Sequence, residues 1–129
     1  LAFLPQDHVA AILDGGLRRY TDRTMVSESG LFEDLRQARQ RGFALSEEEY
    51  EQDINAVAAP ILDTTGHPVA AVAVVGPSYR MPAERMIDIG QRILEATKAI
   101  TREVGVEALS EIASRTATPR GLPPRPTRG

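Results

Sequence analysis

Two apolar runs joined by a short turn constrain this chain more than any other feature of its sequence. Ile54 to Leu62 and Val69 to Val75 are of strand length and rich in Val, Ile and Ala; Asp63-Thr64-Thr65-Gly66 lies between them and Gly76-Pro77 closes the second. Runs of this kind, bounded by turn residues, predict a β-hairpin rather than a buried helix. Because a strand alternates sides, Val57, Ala59 and Ile61 share one face, with Val72 and Val74 on the partner strand, and that face is expected to pack under helices. Ile54, Ala56 and Ala58 share the other, with Ala71, Ala73 and Val75. Its side chains are mostly small. On a concave sheet they leave room for a ligand; the alternative is a helix packed close over the alanines.

The flanking segments read as scaffold. Pro5 suits the first turn of a helix, with Val9, Ile12 and Leu13 at helical spacing before Gly15-Gly16 end it. A second helix is expected from about Gly30 to Arg41. Its N-cap would be Ser29, its buried stripe Leu31, Leu35 and Ala38, and its left-handed stop Gly42. An acidic loop is expected from Ser46 to Asp53. After the hairpin, Pro82 opens a long helix in which Met86, Ile89, Ile93, Ile100 and Val104 recur at three- and four-residue intervals, with Thr97 filling one gap. Gly105 interrupts it, and Val106 to Ala113 could add a further amphipathic turn or two. From residue 116 to 129 prolines alternate with arginines and nothing is available to bury, so a disordered tail is expected there and a single domain over 1–115.

The ordered set of these residues resembles the C-terminal effector-binding domain of the IclR family of bacterial transcription regulators. It is carried by Arg41-Gly42-Phe43-Ala44, by Glu47-Glu48-Glu49-Tyr50-Glu51, by Ile54 with Ala58-Ala59-Pro60-Ile61, and by Val69-Ala70-Ala71-Val72-Ala73-Val74 with Gly76-Pro77 and Arg80. Leu1-Ala2-Phe3-Leu4-Pro5 and Arg19-Tyr20-Thr21 belong to the same match, which runs to about Gly105. The resemblance implies an α+β fold: a GAF/profilin-like antiparallel sheet with flanking helices, N-terminally truncated. It also implies that a winged helix-turn-helix domain and the first strands of the effector domain precede this segment, so that DNA is contacted only through that missing domain. The partners implied are a small-molecule effector and further copies of the chain, as homodimer or tetramer, in the cytoplasm.

The same resemblance carries ligand positions across one at a time. They are Ser46 at the start of the acidic loop, Ile54 and Ala56 on the first hairpin strand, and Ala73 and Val75 on the second. Small-acid sensors of the family usually place hydroxyl or thiol groups at several of these positions. Here the strand positions are apolar, so the expected effector is an aromatic or otherwise apolar organic acid, since a carboxylate buried without donors is strongly penalised. An oligomerisation module without ligand binding is the alternative.

Composition excludes other classes. The chain of 129 residues contains no cysteine, which removes disulfides, thiolate metal sites and a thiol nucleophile together. No run approaches the roughly 18 apolar residues of a membrane span, so no membrane partner is expected. Three of the 15 basic residues, Arg120, Arg125 and Arg128, lie in the tail, leaving 12 against 18 acidic ones, a balance of −6 that is ill suited to gripping a phosphate backbone. His8 and His67 stand alone, which argues against metal ligation. The acidic loop lacks the interleaved Asp, Asn and Gly of a calcium site. Arg18-Arg19-Tyr20-Thr21 with Arg23-Thr24-Met25 is too short a basic cluster for nucleic acid and reads as a solvated loop. Ser46, Ser78 and Ser110 lack the setting of a nucleophile. Neither a catalytic constellation nor a cofactor is expected.

Overall fold

The computed structural model describes residues 1–105 together with 107, 108, 111, 114 and 115. The expected tail from 116 to 129 lies outside the described residues, as do most positions from 106 to 113. The elements run α1 (Gln6–Leu13), α2 (Glu28–Arg41), β1 (Ala44–Glu47), β2 (Ile54–Leu62), β3 (Pro68–Pro77), a 3₁₀ turn (Ser78–Arg80) and α3 (Ala83–Val104). The three strands form one antiparallel sheet in the order β1-β2-β3.

The hairpin forms where the apolar runs predict it, and its turn is built by Asp63. The Asp63 carboxylate accepts from the Thr65 backbone N–H at 2.8 Å, the Thr65 hydroxyl at 2.6 Å and the His67 N–H at 2.9 Å. Those bonds hold its pKa below the usual carboxylate range, the Thr65 hydroxyl contributing most. Gly66 takes the left-handed conformation at φ 83° that lets the chain reverse.

Burial alternates strictly along β2. Asn55, Val57, Ala59 and Ile61 are buried while their neighbours are only partly so. Val57 pairs with Val74 and Ala59 with Val72, so the helix-facing side has the composition that the alternation predicts. Pro60 sits in the middle strand without breaking a ladder. Pairing with β1 ends at Ala44–Ala58, so beyond it the β1-facing edge of β2 is free and the missing N–H goes unneeded.

α3 crosses this face and completes the core. Met86, Gly90, Ile93 and Thr97 form its buried stripe, and Met86 and Val57 are wholly buried, each contributing about 1.5–3 kcal/mol of apolar burial. Ile89 and Ile100 are half-buried and Val104 is exposed, because the helix runs past the end of the sheet. Phe43, Met81 and Ala59 fill the remaining space.

Three local expectations are corrected. Ser27, not Ser29, caps α2: its backbone is extended, and its Oγ accepts from the Gly30 N–H at 3.1 Å. Ser46 and Glu47 belong to β1 rather than to the acidic loop, since Ser46 pairs with Ala56 and Glu47 with Asn55. On α1, Ile12 is 55% exposed and only Val9 and Leu13 are buried, the helix being too short to wrap a wide stripe into the core. Gly42 ends α2 as expected, at φ 92°, with its N–H on the Ala38 carbonyl at 2.8 Å.

Candidate functional site

Register decides which side chains meet on the side of the sheet away from α3. Ser46, Ala56 and Val75 form one cross-strand row, Ala44, Ala58 and Ala73 the next, and Ile54 faces Pro77 at the end. Ser46, Ile54, Ala56, Ala73 and Val75 therefore share one face in adjacent rows. Ala73 is exposed, Val75 is 63% exposed, and the other three are partly buried. Among the described residues no helix packs over the alanines; α3 covers the opposite side. Ser46 supplies the one side-chain hydroxyl in these rows, and no charged side chain stands in them.

The chain leaves β1 beside Ser46 and enters the acidic loop, which a second loop grips. The Thr21 hydroxyl donates to the Glu48 carbonyl at 2.6 Å and the Thr24 hydroxyl to the Glu49 carbonyl at 2.5 Å. Arg23 reaches the Glu48 carboxylate at 3.8 Å, and the rings of Tyr20 and Tyr50 lie 4.9 Å apart. Each segment reads alone as a solvated loop, yet together they enclose a polar cavity of about 640 Å³ between Tyr20, Arg23, Glu48 and Tyr50. Burial raises the pKa of Glu49 above the ordinary carboxylate value, and the nearby charges of Asp34 and Glu47 raise it further.

Asn55 ties this loop to the core, a role that sequence reading missed. It is 5% exposed; its Nδ2 donates to the Met81 carbonyl at 3.0 Å, and its Oδ1 accepts from the Glu48 N–H at 3.1 Å. The signal was present as the single polar residue inside an apolar run, at a position whose alternation points inward. A buried amide is retained only when its hydrogen bonds are made.

Other chemistries find no support in the geometry. Among the described residues no three His, Asp or Glu side chains converge on a metal position, and His8 and His67 are both exposed. No helix of the described residues is long and apolar enough to cross a membrane.

With this geometry in view, comparison with known proteins places the chain. The family model described as bacterial transcriptional regulator IclR, C-terminal, matches residues 1–102. The chain belongs to the IclR family. This IclR C-terminal domain is 32% identical over 103 residues to the HTH-type transcriptional repressor AllR of Escherichia coli K12, a match covering 80% of the chain and 38% of AllR. It thus spans about two fifths of the length of that relative. Among solved structures it resembles a double mutant of the PobR transcription factor inducer-binding domain from Acinetobacter, in complex with 3-hydroxybenzoic acid, with a TM-score of 0.69 and 28% identity over 81% of this chain and 60% of that one. It resembles Thermotoga maritima IclR with a TM-score of 0.67 and 29% identity, over 87% of this chain and 42% of the other. The α+β arrangement is that of IclR C-terminal domains, and the family is one of transcription regulators rather than enzymes.

Proposed function

We propose that the chain is the effector-sensing part of an IclR-type regulator, with Ser46, Ile54, Ala56, Ala73 and Val75 as the ligand-contacting face. The observation that carries this reading is the register: five residues from three strands lie together on an uncovered face of small side chains, beside the loop from Glu48 to Asp53. With one hydroxyl and no cation on that face, the effector is an organic acid whose body is apolar or aromatic, its body on the alanines and a polar group near Ser46. That a double mutant of the PobR inducer-binding domain holds 3-hydroxybenzoic acid supports an effector of that class.

Regulation then follows from differential binding. The effector stabilises one arrangement of the assembled copies over another, and so changes how DNA-binding domains joined to them are placed; it can shift the balance only by its difference in affinity for the two states. The copies assemble as a homodimer or tetramer in the cytoplasm, and DNA is contacted through the N-terminal domain alone.

Thermal denaturation with 3-hydroxybenzoate and with glyoxylate tests the reading. A ligand at about 100 times its Kd stabilises by about 2.7 kcal/mol. The aromatic acid is expected to raise Tm, glyoxylate to do so less, and Ala73→Trp to abolish the response. Ala73 is exposed, so the substitution leaves the fold intact. A larger shift with glyoxylate, or a response untouched by Ala73→Trp, overturns it.

The exposure of Val75 on an uncharged face also favours the assembly reading, in which a second copy covers this surface. In that case Ala73→Trp changes the oligomeric state measured by sedimentation, and no acid raises Tm.

A further inference from the structure

Away from the sheet face, a cavity of about 580 Å³ opens between the end of α2, the end of β2 and the second half of α3. Four cationic side chains line it: Arg39 and Arg41 from α2, Lys98 and Arg102 from α3. No carboxylate lines it, although acidic residues outnumber basic ones in the chain. The remaining walls are largely apolar, with Phe3, Leu62 and Leu94 among them. A volume of this size is that of an ordinary small-molecule site.

The four cations are uncompensated. The ion pairs among the described residues are Arg23–Glu48, Arg36–Glu33, Arg92–Asp88 and Arg115–Glu111, and none involves the cavity. Arg39 lies over the Phe3 ring at 5.9 Å. Arg41 lies over the Phe43 ring at 5.6 Å and donates through Nε to the Phe43 carbonyl at 3.4 Å, but its Nη2 is shielded from water and has no acceptor. A charged donor left without a partner is costly and rare in a folded protein. An acceptor in the adjoining cavity would draw the guanidinium round and satisfy it. The threonine hydroxyls of the wall are already engaged: Thr97 donates to the Leu94 carbonyl, and the single Thr101 proton has the Thr97 and Leu62 carbonyls within reach. Besides the Gln40 amide, the donors left in the wall are the cations, and these select for negative charge.

We propose that this cavity is a second ligand site, distinct from the sheet face, that binds an organic acid with an apolar body. The carboxylate lies among Arg41, Lys98 and Arg102, and the body against Leu62, Leu94 and Phe3. The site joins three elements that pack on one another, so its occupant bridges α2 to α3 and stiffens the end of the sheet that β1 leaves unpaired.

Titration of the 129-residue chain with 1-naphthoate, followed by amide chemical shifts, tests the proposal against its neutral counterpart 1-naphthalenemethanol. Shifts are expected to centre on Gly42 and on Thr97 to Arg102, and the neutral compound to bind more weakly. Lys98→Gln with Arg102→Gln is expected to weaken naphthoate binding about tenfold or more, as loss of charge-assisted contacts does. Both side chains are exposed, so the variant folds, and its unchanged melting temperature verifies this. Ala73→Trp is expected to leave this binding unchanged. Equal affinity for the alcohol, an unchanged affinity in the double variant, or shifts centred on Ala56 and Ala73 would each overturn the proposal. The last result would leave the sheet-face reading standing, and loss of the sheet-face response in Ala73→Trp with this binding intact separates the two sites.

Discussion

Gly90 of α3 lies directly against the ring of Phe43, so close that a Cβ on Gly90 would fall 2.3 Å from Phe43 Cε2. The glycine is what lets α3 descend onto the sheet at this crossing. Gly to Ala within a helix ordinarily gains about 1 kcal/mol from propensity. Here the sign reverses, because the added methyl must push a buried ring aside in a packed core. Gly90→Ala is expected to destabilise by about 1–3 kcal/mol in urea unfolding, and Phe43→Leu in the same chain to recover part of that loss. A stabilised Gly90→Ala variant would show that the helix sits farther from the sheet.

Asn55→Ala is expected to loosen the acidic loop as well as the core. The substitution strands the Met81 carbonyl, which costs about 1–3 kcal/mol when buried, whereas the Glu48 N–H retains a bond to the Ile54 carbonyl at 3.1 Å. Faster amide exchange from Glu48 to Asp53, larger than the global loss of stability accounts for, is the distinguishing readout. Uniform acceleration across the chain would mean that Asn55 acts on the core alone.

The two faces of the hairpin were legible because alternation is a local rule, and the pairing of Ala58 with Ala73 and Ala56 with Val75 keeps each predicted face intact across both strands. Contacts between distant segments leave no such local signature. The grip of Thr21 and Thr24 on the Glu48 and Glu49 carbonyls spans 27 and 25 residues, and neither loop announces it. The basic cavity is assembled from α2, β2 and α3, so its cations are scattered in sequence. Gly90 contributes nothing to an apolar period and was invisible to it. The N-cap was misplaced by two residues because Ser27 and Ser29 are chemically equivalent candidates and only backbone geometry chooses between them.

The two threonine hydroxyls make the loop pairing testable without touching the sheet. Thr21→Val and Thr24→Val keep the branched shape but remove the two bonds to the Glu48 and Glu49 carbonyls, each worth about 0.5–1.5 kcal/mol, together with the local acceptors of the Tyr20, Thr21 and Arg23 N–H groups. Together they are expected to release the loop around Tyr20 from that around Tyr50, seen as faster proteolysis at both loops, while α3 and β2 keep their amide protection. If the acidic loop covers the effector, the double variant also weakens the response to 3-hydroxybenzoate. Unchanged proteolysis would show that the Tyr20–Tyr50 contact and the Arg23–Glu48 pair suffice to hold the loops.

Glu49 gives the domain a pH dependence of defined sign. Its folded pKa is raised above the ordinary carboxylate value, first by burial and then by the charges of Asp34 and Glu47, so the folded state binds its proton more tightly than the unfolded chain does. The ionised form is consequently a penalty on folding, absent below the unfolded pKa and fully present once the pH has risen through the folded one. Glu49→Gln removes that penalty while keeping an oxygen that accepts the backbone N–H of Glu47. The variant is expected to melt above the parent at pH 7 and to match it near pH 4. Because the group is only partly buried, solvent screening keeps the difference small. A variant less stable than the parent at pH 7 would instead mean that the ionised carboxylate has a favourable partner in the loop.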